Sequence, residues 1–383
     1  MKILTRILSY VLVAAIAAAA ATGICMSKMP ESSKLDQLES LIEERFIGDY
    51  DQTAMEDAAA DAMVAAIGDR WSYYIPAAEY AAYQEQMANA YVGIGITIAL
   101  QEDGSMLVQQ VTKNGPADLG GVKPGDILVG AEGVDAEGKT LDEISAVIRG
   151  EEGTQVTVSF LRDGQRLDIT MTRSSIQVEV AVGQMLENNI GYIQIVNFDE
   201  RCADETISEI KRLTGEGAQA LIFDVRFNGG GYKRELVEIL DYLLPEGPLF
   251  RSLDYRGNES VDKSDENFLD LPMAVLVNQD SYSAAEFFAA ALREYEAAVV
   301  VGLPTTGKGY FQNALRLSDG SAVNLSVGKY FTPNGVSLAD VGGLTPDVTV
   351  EIDDETAFNI YAGLLPPGED PQVQAAMEEL MAD

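Results

Sequence analysis

Apolar side chains recur at intervals of three or four residues between residues 34 and 89. Leu35, Leu38 and Leu41 begin this pattern, which gathers apolar side chains on one face of a helix. The spacing therefore predicts a helical region over residues 34–90. Such a region would serve either as a dimerisation surface, giving a homodimer, or as a cap on the rest of the chain.

The pattern changes after residue 90 to short runs of alternating apolar and polar residues, separated by Gly and Asp. A period of two is typical of strands with one buried face. One helical stretch, Leu141–Arg149, interrupts them. The pattern predicts a compact β-module over residues 91–174. Its strands are predicted at Gly93–Leu100, Met106–Thr112, Asp126–Ala131 and Val156–Arg162.

From Gly191 onward, continuous apolar runs alternate with helical stretches, which is typical of a layered α/β domain. We place this domain at residues 175–353 and an acidic, weakly helical C-terminal segment at 354–383. Asp319-Gly320 between two apolar runs predicts a hairpin. The predicted strands are Tyr192–Val196, Ala220–Val225, Met273–Val277 and Ala297–Val301, and the helices are Ala203–Thr214, Tyr232–Leu244 and Ala284–Tyr295. The fold class expected is multidomain α+β.

The first 26 residues have the composition of an export segment. Lys2 and Arg6 precede an apolar, Ala-rich run of about 20 residues, long enough to span a bilayer if it is retained. Residues 1–26 are therefore predicted to be a signal peptide or a membrane anchor, and residues 27–33 a linker. Either alternative places the rest of the chain outside the cytoplasm, secreted, periplasmic or membrane-anchored.

Composition excludes several kinds of function. The chain has 26 Lys and Arg against 61 Asp and Glu, a net charge of −35, which repels nucleic-acid phosphates. It contains no histidine, which excludes Ser-His and Cys-His catalysis and imidazole zinc sites. Two cysteines are too few for a Cys-only metal site. We expect no metal and no cofactor, and a general base other than histidine.

Three short motifs in the α/β region could carry chemistry. The first, Asp224–Gly231, joins a predicted strand to a predicted helix through successive glycines. Amide groups at such a corner can stabilise an anion or an oxyanion, although glycines also serve packing alone. The second motif, Ser281–Glu286, places hydroxyls before a helix. Ser283 and Glu286 also fit an ordinary capping box.

The third motif, Gly302–Gly309, nearly matches a phosphate-binding loop. Gly309 stands where that loop needs a hydroxyl, and a strand is predicted to follow rather than a helix. Lys308 would then be a surface lysine, unless it acts as a base. In a chain without histidine, a serine nucleophile needs such a base, and burial would keep a lysine neutral.

The second and third motifs together resemble the carboxyl-terminal processing (tail-specific) peptidases of family S41. Lys308 follows Ser283 by 25 residues and Gln312 follows Lys308 by four, as in that family's Ser/Lys/Gln set. The resemblance implies Ser283 as nucleophile, Lys308 as base and Gln312 as the residue that orients it. It also implies an oxyanion hole formed by the backbone amides of Ala284 and Gly230.

The resemblance extends over roughly residues 35–350. The segment Gly93, Ile94, Gly95 and Ile96 resembles the carboxylate-binding loop of a PDZ domain, which implies recognition of substrate tails. Trp71 departs from the family, where a small residue or proline is commoner. The family also implies a crotonase/ClpP-like protease core.

The predicted function is therefore an exported serine endopeptidase that cleaves proteins recognised through apolar, free C-termini. Two alternatives remain open from the sequence. One is a non-catalytic, membrane-tethered PDZ adaptor with a degenerate protease body. The other is a crotonase-type acyl-CoA enzyme, since Gly-rich strand–helix corners also serve thioester chemistry.

Overall fold

The structure is a computed structural model that describes residues 33–101 and 103–382. The predicted export segment, residues 1–26, lies outside the described residues. The chain forms two compact units, the first described from Ser33 to Ala60 and the second beginning at Asp61. Of the helices in the described part, none is both long and apolar enough to cross a membrane.

The region predicted to be helical contains three helices and one strand. The first helix begins with a capping box, in which Ser33 and Asp36 bond each other's backbone amides. The strand Tyr73–Ile75 pairs antiparallel with residues 322–324, and the prediction of a helical region did not include it. The elements are α1 (Lys34–Arg45), α2 (Gln52–Ala65), β1 (Tyr73–Ile75) and α3 (Ala77–Met87).

A β-module follows, as the alternating pattern predicts. Its main sheet has the order β3-β4-β5-β7-β8, with β6 beside β5, and the pair β2–β9 forms a separate ladder. Val108, Ile144 and Phe160 are fully buried in its core. The elements are β2 (Ala90–Gly93), β3 (Ile96–Leu100), β4 (Met106–Val111), α4 (Pro116–Leu119), β5 (Ile127–Ala131), β6 (Val134–Asp135), α5 (Leu141–Ile148), β7 (Gln155–Arg162), β8 (Gln165–Thr172) and β9 (Ser174–Gln177).

The remaining chain builds two further sheets. One has the order β10-β11-β12-β15-β16-β19, parallel except at β10; the other has the order β1-β18-β13-β14, with β17 beside β18. The elements are β10 (Ala181–Met185), β11 (Ile190–Ile195), α6 (Cys202–Gly215), β12 (Ala220–Asp224), α7 (Lys233–Leu243), β13 (Gly247–Asp254), β14 (Glu259–Ser264), β15 (Met273–Val277), α8 (Ala284–Glu294), β16 (Ala298–Gly302), β17 (Tyr310–Arg316), β18 (Ala322–Phe331), α9 (Leu338–Val341), β19 (Val348–Thr349), α10 (Asp354–Tyr361) and α11 (Pro371–Ala382).

Helices cover both faces of the parallel sheet. Ile193 and Phe223 pack with α6, α7 and α8, whereas their chain neighbours Tyr192 and Ile222 pack with α11. Two buried faces explain why β15 is apolar at every position and why β11 and β12 are apolar at most of theirs. This arrangement brings the carboxyl ends of β12 and β15, and the loops that follow them, to one edge of the sheet.

The C-terminal segment is part of this layered domain rather than an appendage. The guanidinium of Arg226 contacts Asp224 at the end of β12 (2.5 Å) and Asp370 just before α11 (2.7 Å). Its Nη1 also donates to Gln372 (2.7 Å), and the ion-paired side chains are 2% exposed. A buried charge network therefore holds α11 against the strand whose end begins the Gly-rich corner.

We expect Asp370→Ala to lower the free energy of unfolding by about 3 kcal/mol, because it removes one partner of a buried cation. Urea unfolding followed by circular dichroism measures this loss. Asp353→Ala is the matched control, since Asp353 caps exposed α10 through the Thr356 amide (2.8 Å) and should cost about 1 kcal/mol. Equal losses in the two variants would contradict the role given to the Arg226 network.

Candidate active site

One cleft of about 1380 Å³ collects the chemically interesting motifs of the α/β region. Its walls come from the loop before β1, the Gly-rich corner after β12, the start of α8 and the segment 308–315. The five predicted catalytic and oxyanion residues all line it: Gly230, Ser283, Ala284, Lys308 and Gln312.

Ser283 stands at the N-cap of α8 with φ 58° and ψ −123°. A positive φ is unusual and strained for a residue with a Cβ, and such strain clusters at functional sites. The Ser283 side chain makes no capping bond. The capping-box interpretation was therefore wrong.

Ser281 has a different role from Ser283. It is fully buried, its Oγ donates to the Val225 carbonyl (2.7 Å) and accepts from the Asn278 amide (3.0 Å). These bonds connect the loop before α8 to the end of β12. The Ser281 hydroxyl therefore has a structural role and is not available as a nucleophile.

The Gly-rich corner lies directly against Ser283. A Cβ added to Gly230, which has φ 90°, would lie 2.6 Å from the Ser283 Cβ and 2.8 Å from the Ala284 nitrogen. Only glycine permits this approach. The Gly230 amide donates to Asn228 Oδ1 (2.8 Å). In this structure it is therefore not free to donate to an oxyanion, which is the role predicted for it. Ala284 opens α8, and its amide has no acceptor within the helix.

Lys308 is enclosed by aromatic rings. Its Nζ lies 4.7 Å from the ring centre of Trp71 and 5.6 Å from that of Tyr282, and these two rings pack at 5.4 Å. Burial lowers the pKa of Lys308 to about 8, while Glu286 and Asp69 oppose that change. A substantial neutral fraction near pH 8 is the property that a lysine base requires.

Glu286 fixes the backbone on which Lys308 stands. Its fully buried carboxylate accepts from the amides of Gly307 (2.8 Å) and Lys308 (2.7 Å). Burial raises the pKa of this carboxyl group. Sequence reasoning missed this role, because its position three residues after Ser283 also fits a helix cap.

The predicted Ser/Lys/Gln set shares the cleft but is not hydrogen-bonded together. In the described part of the chain, no hydrogen bond links Ser283, Lys308 or Gln312 to one another. Gln312 Nε2 instead donates to the Tyr310 carbonyl (3.1 Å) and to Ser326 Oγ (3.0 Å). Catalytic hydrogen bonds in enzymes often tighten only when substrate binds.

Residues 33–101 and 103–382 contain neither a phosphate-binding loop nor a cluster of metal ligands. The segment Gly302–Gly309 leads into strand β17, as predicted, instead of the helix that a phosphate-binding loop requires. The described residues contain no group of three or more Asp, Glu or Cys placed to hold a metal ion.

A second, smaller cleft lies in the β-module and contains all four residues of the predicted carboxylate-binding loop: Gly93, Ile94, Gly95 and Ile96. Side chains of β3 and α5, among them Ile98 and Ile148, complete its walls together with Arg149. Gly95 has φ 76°, and a Cβ there would lie 3.0 Å from the Thr112 Cβ. An extended peptide can lie between a strand edge and a helix in this way.

Comparison with known proteins gives a consistent result. Residues 189–350 match peptidase family S41 and residues 107–162 match the PDZ domain. The carboxy-terminal processing protease CtpA of Bacillus subtilis is 33% identical over 84% of this chain and 70% of its own length. A probable CtpA-like serine protease of Staphylococcus aureus is 27% identical over 88% and 68%, respectively. A putative S41 protease from Bacteroides fragilis has a similar fold, with TM-score 0.56 and 15% identity over 93% of this chain and 99% of that one.

Proposed function

This chain belongs to peptidase family S41, and from that premise we propose that it is an exported endopeptidase using Ser283, Lys308 and Gln312. The observation that carries the assignment is the meeting of a strained serine and a half-buried lysine of lowered pKa in one cleft. Export is inferred from the basic start and apolar run of residues 1–26. The same run would hold the protein at the membrane if it is not cleaved.

Ser283 Oγ attacks the carbonyl carbon of the scissile peptide bond while neutral Lys308 takes the hydroxyl proton. The tetrahedral intermediate collapses as Lys308 passes this proton to the leaving amine, which gives an acyl-enzyme. Water then attacks the ester with Lys308 again as the base, which releases the acid product and the serine. Each proton that Lys308 accepts is returned, so the reaction needs no cofactor.

The Ala284 amide is the first oxyanion donor in this mechanism, because it points from the start of α8 without an intrahelical acceptor. A second donor comes from the Gly229–Gly230 corner, in which Gly230 approaches Ser283 closely. For Gly230 to be that donor, its amide must exchange Asn228 Oδ1 for the substrate oxyanion.

Gln312 orients Lys308 in this proposal. Its Nε2 is held by Tyr310 and Ser326, an arrangement that fixes the carboxamide and leaves Oε1 as the acceptor for the Lys308 amine. Orientation of the base by a third group is the general logic of catalytic triads.

The core is, we infer, layered as in crotonase-like enzymes, because a helix-covered parallel sheet carries the Gly-rich corner beside a helix N-terminus. The PDZ domain supplies selectivity. A substrate tail adds as a strand along β3, and the amides around Gly95 hold its terminal carboxylate.

A fluorophosphonate probe and a pair of peptides test this function. We expect covalent labelling at Ser283, and faster cleavage of a peptide with an apolar free C-terminus than of the same peptide amidated. A PDZ adaptor would bind the free peptide without being labelled. An acyl-CoA enzyme would hydrolyse a CoA thioester and ignore both peptides.

Gly95→Ala is expected to reduce the preference for the free over the amidated peptide by about tenfold, since a Cβ at positive φ displaces the carboxylate loop. Probe labelling at Ser283 should stay unchanged. Gly104→Ala is the matched control, because Gly104 also has positive φ but a Cβ there has open space. If both variants keep the full preference, the tail is recognised elsewhere.

A further inference from the structure

Tyr330 has an unusual hydroxyl group. Within the described part of the chain, its Oη is the one buried side-chain polar atom without a hydrogen-bond partner. Tyr330 lies in β18 and is 2% exposed, with its ring 5.6 Å from Phe250 and 5.7 Å from Phe287 between ring centres. These apolar contacts fix the ring and hence the position of the hydroxyl.

The hydroxyl of Tyr330 faces the catalytic serine. Tyr330 and Ser283 line the same cleft, and the Ser283 side chain and the Gly309 backbone both act on the Tyr330 hydroxyl without completing a hydrogen bond to it. Burial raises the pKa of Tyr330 far above its ordinary value. The hydroxyl therefore keeps its proton at all working pH values and can always donate.

An unsatisfied buried hydroxyl is costly, and phenylalanine would fill the same space without that cost. Native proteins keep few such groups, and a catalytic role is one of the reasons for them. The Tyr330 hydroxyl lies beside the atom that gains negative charge and then becomes bonded to substrate. A hydrogen bond that forms only during the reaction would explain why it is unmade here.

We propose that Tyr330 is a further catalytic residue, whose hydroxyl donates a hydrogen bond to Ser283 Oγ as this oxygen loses its proton to Lys308. The proposal rests on the function proposed above. Because Tyr330 Oη has no other partner among the described residues, its proton is free to point toward Ser283 Oγ during the reaction. The Ser283 proton is then left to face Lys308, and the new bond strengthens as negative charge develops.

Tyr330→Phe tests this proposal because it removes a single oxygen. We expect kcat to fall by about 10- to 100-fold with KM unchanged, as for a charge-assisted bond made only in the transition state. The rate of fluorophosphonate labelling at Ser283 should fall by a similar factor. The melting temperature should stay equal or rise, because a buried unpaired hydroxyl has been removed.

Tyr295→Phe is the matched control, since the Tyr295 hydroxyl donates to the Pro248 carbonyl (3.0 Å) away from the cleft. It should lower the melting temperature and leave kcat and labelling intact. Full activity of Tyr330→Phe at wild-type labelling rate would overturn the proposal, as would an activity loss matched by a loss of stability. A wild-type protein that the probe does not label at Ser283 would instead overturn the proposed function.

Discussion

Ser283→Ala is expected to lower kcat/KM for a cleaved peptide by on the order of 10⁴-fold or more, because it removes the attacking atom. Alanine tolerates the backbone at φ 58° no worse than serine, so the variant should fold like the wild type. Peptide cleavage followed by mass spectrometry measures the activity, and loss of fluorophosphonate labelling confirms the site. Cleavage by Ser283→Ala at the wild-type rate would show that Ser283 is not the nucleophile.

Two neighbouring variants separate chemistry from stability. Ser281→Ala loses bonds to the Val225 carbonyl and the Asn278 amide, so it should cost about 1–3 kcal/mol of unfolding free energy while kcat is retained. Ser283→Gly should be inactive yet more stable than Ser283→Ala by about 1 kcal/mol, because glycine relieves the positive φ. The opposite ranking would show that the backbone at Ser283 stores no strain.

The parallel sheet could be predicted from sequence because burial on both faces leaves an unmistakable apolar run. The predicted strand Met273–Val277 has the observed bounds. The pair β13–β14 was missed because its half-exposed residues lack such a run. In Glu259–Ser264, for example, Ser264 alone is buried. The C-terminal helix was assigned to a separate segment because its anchor is a long-range contact of Arg226 with Asp370.

Some residues of the candidate active site could likewise be predicted from the sequence, and others are identified only by contacts in the folded protein. Spacing and family resemblance select Ser283, Lys308 and Gln312, and the structure places all three in one cleft. Spacing does not predict the contact of Trp71 with Lys308, because more than two hundred residues separate the two in the sequence. Glu286 was noticed but given the wrong role, because the loop that it binds returns to it only in the folded protein.

The activity of the wild-type protein is expected to rise with pH around a midpoint near 8, because Lys308 must be neutral to accept the proton from Ser283. Burial is the main cause of the lowered pKa, and the charge of Arg70 acts in the same direction. About one tenth of the enzyme would be competent at pH 7 and about one hundredth at pH 6. The pH dependence of kcat/KM measures this midpoint. A rate that stays flat from pH 6 to pH 9 would exclude Lys308 as the base.

Lys308→Met should abolish cleavage nearly as fully as Ser283→Ala, whereas Lys329→Met, which alters an exposed lysine beside Tyr310, should leave the pH profile unchanged. Since the charge of Glu286 raises the pKa of Lys308, Glu286→Gln should move the midpoint of the pH–activity profile below 8.

The pH dependence of stability gives an independent check on the pKa of Lys308. Lys308 binds its proton more tightly in the unfolded chain, so wild-type stability should rise with pH between about 8 and 10 through this residue. Lys308→Met should lack that part of the rise, and an unchanged stability profile would show that Lys308 is solvated in the folded protein.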